Sequence, residues 1–224
     1  MWVQQECLRE WAALGDEVSG ASGRVDWPLL DAQTEAAQPA RYLLDMSSPE
    51  LMAPGGMVER VRSLWFPGPG SSSADDSSSA DEAGAGSGDQ QASGVDPTER
   101  ATFLRAITDS LALAYRRAIR RTSELSGTRP EAIHLVGGGS KNRLLAQETA
   151  DATGIPVIVG PVEATALGNM LVSLRAIGAA SGTLMDLRAI SQASSVLETY
   201  EPRASHAHLW DEADARLGSG DALS

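Results

Sequence analysis

Ile133-His134-Leu135-Val136 runs directly into Gly137-Gly138-Gly139, and a helix-forming stretch opens at once behind it with Ser140-Lys141-Asn142. Strand, bare backbone and helix start, in that order, build a pocket whose main-chain N–H groups can face an anion. Glycine suits such a pocket because a Cβ would hold a ligand away and because the turn calls for positive φ. The competing reading is a tight strand-to-helix turn with no ligand, where glycine is the ordinary residue. Two well-known phosphate loops do not fit. G-x-x-x-x-G-K-[ST] occurs nowhere in the chain, and G-x-G-x-x-G fails because Asn142 stands where its last glycine belongs.

Other residues with chemical potential read more plainly. Lys141 could add charge near a phosphate, but a lysine in a first helical turn is more often simply exposed. Asn142 fits an adenine or ribose contact and equally an N-terminal helix cap. Glu163 follows a strand and begins a helix, so the helix dipole already accounts for its carboxylate. His134 alternates with Ile133 and Leu135 and is expected to face the core or an interlayer. His206-Ala207-His208 lacks a cysteine pair or a nearby carboxylate cluster, so no zinc site is expected and no metal ligand is assigned. Arg116, Arg117, Arg120 and Arg121 recur at helical spacing and read as one solvated helix face.

Composition narrows the class. The 224 residues are 42% apolar, enough for one domain or two small ones. The net charge of −12 is unevenly spread: six acidic residues and no basic one lie between Gly68 and Asp96. Nothing points to nucleic acid or a membrane as partner. Cys7 is the single cysteine, which rules out an intramolecular disulfide. Without a signal-like or spanning apolar run at its start, the chain is expected to be cytoplasmic.

The elements that must hold the glycine turn follow from periodicity. Residues 2–14 read as an amphipathic helix through Val3, Cys7, Trp11 and Leu14. Asp26 caps a second helix from Trp27 to Ala37, and a third starts near Pro54 and runs to Trp65. From Gly68 to about Val95 the chain is Gly, Ser, Ala, Asp and Gln, too polar to repay ordering. Asp96-Pro97-Thr98-Glu99 opens a long helix whose stripe of Leu104, Ile107, Leu111, Tyr115 and Ile119 ends near Gly127. Then come a strand at 132–136, the glycine turn, helix 141–153, strand 156–159, and helices at 163–177, 184–193 and 203–217. Few strands separated by helices make the class α/β with a parallel element.

Beyond the glycine turn the chain continues as NRLLAQETADATG, then Ile155-Pro156-Val157-Ile158-Val159, then Gly160-Pro161-Val162-Glu163-Ala164-Thr165-Ala166-Leu167-Gly168-Asn169. This resembles the FGGY-type sugar kinases of the actin-like ATPase superfamily and, among them, the rhamnulokinases; the Gly-Pro-Val-Glu-Ala run discriminates best. Trp2-Val3-Gln4-Gln5-Glu6-Cys7 and Leu51-Met52-Ala53-Pro54-Gly55-Gly56-Met57 resemble earlier segments of the same family.

The resemblance implies the helix-rich C-terminal lobe of an actin-like (ribonuclease H-like) ATPase fold with a short mixed or parallel sheet. It divides the chain into a helical first part at 1–67, an acidic insert at 68–96, a nucleotide-binding part at 97–218 and a tail at 219–224. It implies ATP as cofactor, with Mg2+ held through ATP and not by residues of this chain. Gly137, Gly138 and Gly139 would lie against the nucleotide, Gly138 foremost, with Asn142 and Gln5 as further contacts. The reaction implied is ATP plus L-rhamnulose giving the 1-phosphate. The sugar pocket and catalytic aspartate belong to an N-terminal lobe that this sequence does not match. The expectation is therefore a truncated kinase or gene fragment, inactive alone or active with a separately encoded first lobe, and no catalytic residue is assigned. The alternatives are a non-catalytic nucleotide-binding or interaction module and, more weakly, a dinucleotide-dependent oxidoreductase.

Overall fold

The computed structural model describes residues 2–13, 26–67 and 96–220. The expectations for the acidic insert at 68–95, for Leu14 and for residues 221–224 lie outside these residues. Two compact units emerge, Met1–Ala114 with His208–Ser224, and Tyr115–Ala207.

The first unit is built on α1 (Trp2–Ala13), α2 (Trp27–Ala36), α3 (Met57–Leu64) and the first half of α4 (Pro97–Ser126). Val3, Cys7 and Trp11 of α1 are buried with Leu30, Met57, Val61, Phe103 and Ile107 in one apolar cluster, as their helical spacing requires. Trp11 meets Phe103 edge to face at 5.7 Å. Burial next to the Glu10 charge pushes the Cys7 thiol up to about 12, so it stays protonated and inert.

Asp26 caps α2 by accepting from the Leu29 amide. By contrast, α3 starts at Met57, three residues later than expected. Glu10 of α1 accepts from the Met57 and Val58 amides at 2.6 and 3.0 Å, which fixes the helix start at that point. Two further features escaped the periodicity. The two-residue strands β1 (Tyr42–Leu43) and β2 (Phe66–Pro67) pair antiparallel. A buried anchor ties the two ends of β1 to α4: Asp109 accepts from the Ala40 amide at 2.7 Å, and Ser110 Oγ from the Leu44 amide at 2.8 Å.

The second unit holds a three-stranded mixed sheet in the order β3 (Ile133–Leu135), β4 (Val157–Val159), β5 (Glu198–Tyr200). β3 and β4 run parallel, with Ile133 opposite Val157; β4 and β5 run antiparallel, with Val157 opposite Tyr200. α5 (Arg143–Thr153) crosses between the parallel strands and lays Ala146 and Ala150 on Val157, Ile133 and Leu135. Small side chains on this face let helix and sheet approach closely. β5 was not expected, since three residues carry too little alternation to show a period. His134 is exposed, not core-facing: in this narrow sheet α5 packs Ile133 and Leu135, and the residue between them faces the opposite side of the pleat.

α6 (Ala164–Ala176) and α7 (Leu184–Ala193) follow β4, and α8 (Ala207–Gly220) closes the chain. A capping box starts α7: Asp186 accepts from the Thr183 amide at 2.6 Å and its hydroxyl at 2.8 Å. Those bonds, the amide first and the hydroxyl second, hold the Asp186 carboxyl below its ordinary value. A carboxyl depressed in the folded state stabilises above its unfolded pKa and loses that contribution as the pH falls. Acidification below about pH 4 is therefore expected to fray the first turn of α7, seen as faster exchange of the Thr183 and Asp186 amides. No described helix is long and apolar enough to cross a membrane.

Candidate functional site

The glycine turn sits where β3 ends and α5 begins, as the residue order demands. Gly137–Lys141 forms a 3-10 turn entered from extended Val136. Gly137 has φ +77, the positive value the turn was expected to require. Its N–H is spent within the protein, donating to Pro161 O at 3.3 Å. Ser140 is buried, and its hydroxyl donates to Gly137 O at 2.6 Å, closing the turn from inside. The amides of Gly138 and Gly139 open the turn, where no earlier helical carbonyl can accept from them. Gly138 is exposed, and a Cβ built there would meet nothing within 4 Å. The open space beside Gly138 leaves room for a ligand to approach the turn.

Asn142 settles as the cap of α5, its side-chain oxygen accepting from the Leu145 amide at 2.8 Å. Lys141 is exposed, as is Glu163 at the start of α6, whose carboxylate makes no capping bond. Gln5 lies on the exposed side of α1 in the first unit, whereas Gly137, Gly138, Gly139 and Asn142 share one turn in the second.

Gly160 and Pro161 contribute what periodicity did not reveal. The Gly160 amide donates to Leu135 O at 2.8 Å, and a Cβ there would fall 3.0 Å from Val136 Cγ1. The turn after β4 thus has to be bare for the glycine turn to lie against it. The one available signal was the Gly-Pro pair itself, which marks a turn without saying what it touches.

A charged cluster corrects the expectation that His206 has no carboxylates near it. Glu148 and Asp151, one turn apart on α5, bring oxygens within 4.8 Å of each other and of His206 Nδ1. Arg203 fills the space a cation would take. Its guanidinium lies 2.6 Å from Asp151 Oδ2 and 3.3 Å from Glu148 Oε1, and its main-chain N–H donates to Asp151 Oδ1 at 2.7 Å. His206 Nδ1 is 3.1 Å from Asp151 Oδ2, and Gln147 Nε2 donates to Asp151 Oδ1 at 3.0 Å. Burial works against the Arg203 charge, but hydrogen bonding and attraction from Asp151, joined by Glu148, outweigh it and raise its pKa. The cluster is an ion-pair latch that pins the segment after β5 to α5. Asp151→Ala is expected to cost about 2–3 kcal/mol in urea unfolding, less than a fully enclosed pair, because Arg203 is 44% exposed.

Residues 1–177 match the model of the C-terminal domain of the FGGY family of carbohydrate kinases. A rhamnulokinase of Bacteroides thetaiotaomicron is 37% identical over 213 residues, which is 95% of this chain and 36% of that protein. The crystal structure of a xylulose kinase from Rhodospirillum rubrum superposes with a TM-score of 0.57 at 18% identity, covering 99% of this chain and 36% of that one. The chain thus spans about a third of the length of these relatives. The chain belongs to the FGGY family of carbohydrate kinases, whose C-terminal domain it carries.

Proposed function

We propose that this chain is the nucleotide-binding lobe of an ATP-dependent sugar kinase that phosphorylates L-rhamnulose to L-rhamnulose 1-phosphate. The observation that carries the reading is the exposed, unobstructed backbone at Gly138 in front of a helix start. The likeness to a rhamnulokinase supports the sugar. ATP, with magnesium bound through its phosphates, supplies the transferable phosphoryl group.

The protein's own part is binding and positioning. The Gly138 and Gly139 amides donate to phosphate oxygens. Gly137 aims them by its positive φ, and Ser140 and Pro161 keep the turn closed behind them. Asn142 spends its oxygen on the α5 cap and keeps its amide N–H2 to donate to the nucleotide.

A kinase also needs a carboxylate to take the hydroxyl proton, and we assign none in the second unit, where four of the carboxylates already carry structural bonds. Glu148 and Asp151 are held by Arg203, Asp186 by the α7 cap, and Glu198 by Arg143 and Tyr200. The base and the sugar pocket come from a first lobe outside the matched region, so the 224 residues alone bind nucleotide without turning over. Calorimetric titration with ATP, with and without magnesium, tests this. Saturable heat is expected, with no phosphorylation of L-rhamnulose. An absence of heat under both conditions would overturn the reading.

A further inference from the structure

Gly160 is a glycine that its own backbone does not require. Its φ lies outside the left-handed region, so an alanine could adopt the same conformation. What forbids a side chain is space. Gly160 is buried, and a Cβ built on it falls 3.0 Å from Val136 Cγ1, with Leu135 O next at 3.8 Å. Val136 is the extended residue that leads into the glycine turn. Two backbone bonds straddle it: Gly160 N–H donates to Leu135 O at 2.8 Å, and Gly137 N–H donates to Pro161 O at 3.3 Å. The first is short and holds Gly160 against the end of β3. The second is already past the usual N–H···O range of about 2.7–3.2 Å, so it yields first. A valine in extended backbone also has few χ1 rotamers into which it can retreat. Crowding at Gly160 is therefore passed to Val136, and from there to Gly137, Gly138 and Gly139.

We propose that Gly160 is a positioning residue for nucleotide binding and acts through Val136. The missing side chain lets Val136 seat against the turn after β4, and that seat sets the direction of the Gly138 and Gly139 amides. This rests on the nucleotide reading above. Gly160 is buried and acts without touching the ligand. Its mark is reciprocity: a methyl added at 160 does harm only while the γ-methyls at 136 are present. Gly168 provides the contrast within the same stretch of sequence. It is exposed on α6, and a Cβ built there meets nothing within 4 Å, so an alanine at that position has nothing to push.

A double-mutant cycle on the full chain reads this coupling. ATP with magnesium is titrated by calorimetry into the wild type, Gly160→Ala, Val136→Ala and the double variant, and amide nitrogen–proton NMR spectra of all four are recorded without nucleotide. Gly160→Ala should weaken ATP binding about fivefold and move the amide resonances of Gly137, Gly138 and Gly139. In the Val136→Ala background the same substitution should change affinity by less than about twofold, with those resonances returned to their places in Val136→Ala alone. Gly168→Ala should leave affinity and glycine resonances as in the wild type. A Gly160→Ala chain that binds ATP like the wild type overturns the proposal. So does an equal loss in both backgrounds, because a purely structural role would not depend on Val136. Should Gly160→Ala fail to fold, the double variant decides: it should fold and bind ATP like Val136→Ala, and a double variant that does neither overturns the proposal. A wild type that takes up no ATP removes the nucleotide reading and this proposal with it, whereas failure of this proposal alone shows as wild type and Gly160→Ala binding ATP equally well.

Discussion

Gly138→Val is expected to weaken ATP binding by at least about tenfold, or about 1.4 kcal/mol, while leaving the melting temperature of the chain unchanged. The two halves of that result have separate causes. The backbone at Gly138 is not in the positive-φ region, and a Cβ there has no neighbour within 4 Å, so the fold accepts a branched side chain. The same open space is the route to the Gly138 and Gly139 amides, and two γ-methyls would occupy it. Gly137→Val should behave differently. At φ +77 any Cβ is strained, so this variant should lose about 1–2 kcal/mol of stability together with its affinity. Titration calorimetry and thermal unfolding on both variants separate a blocked approach from a damaged turn. Unchanged affinity in Gly138→Val would place the nucleotide elsewhere.

The second large effect is on stability and lies in the first unit. Asp109→Ala is expected to cost about 3–5 kcal/mol. The Asp109 side chain is fully buried, and Arg105 Nε lies 3.0 Å from its carboxylate with only 6% of that side chain exposed. Removing the carboxylate takes a buried ion-pair partner from the Arg105 guanidinium and leaves the Ala40 amide without this acceptor, just where Ala40 adopts φ 52. Replacing both partners with apolar residues, Arg105→Met with Asp109→Leu, should recover a good part of the loss, because no charge is then left unpaired. Urea unfolding measures both. A loss under about 1 kcal/mol in Asp109→Ala would mean that the pair behaves as a solvated surface bridge.

How far the sequence led depends on the range of the interactions. α1, α2, α4 and α7 were legible because helical periodicity and caps such as Asp26 and Asp96 are local. The glycine turn was legible for the same reason: strand, bare backbone and helix start are consecutive. β1, β2 and β5 were not, since two- and three-residue strands exist only by virtue of their partners. The Arg203–Asp151–His206 latch was invisible because its members stand 52 to 55 residues apart and meet only once β5 returns beside β4. His134 was misplaced because alternation says which residues share a face but not which face is covered. Ser140 and Pro161, which keep the turn closed, carry no chemical signature; a serine behind three glycines reads only as the start of the helix that follows.

The family follows from the match over residues 1–177; the use made of the glycine turn is the claim that most needs a direct test. Crystals of the chain grown with a non-hydrolysable ADP analogue supply it. Phosphate oxygens are expected at hydrogen-bonding distance, about 2.7–3.2 Å, from the Gly138 and Gly139 amides, with the Gly137–Pro161 bond intact behind them. An analogue bound at another surface, or a well-ordered turn with that approach closed by neighbouring atoms, would contradict it.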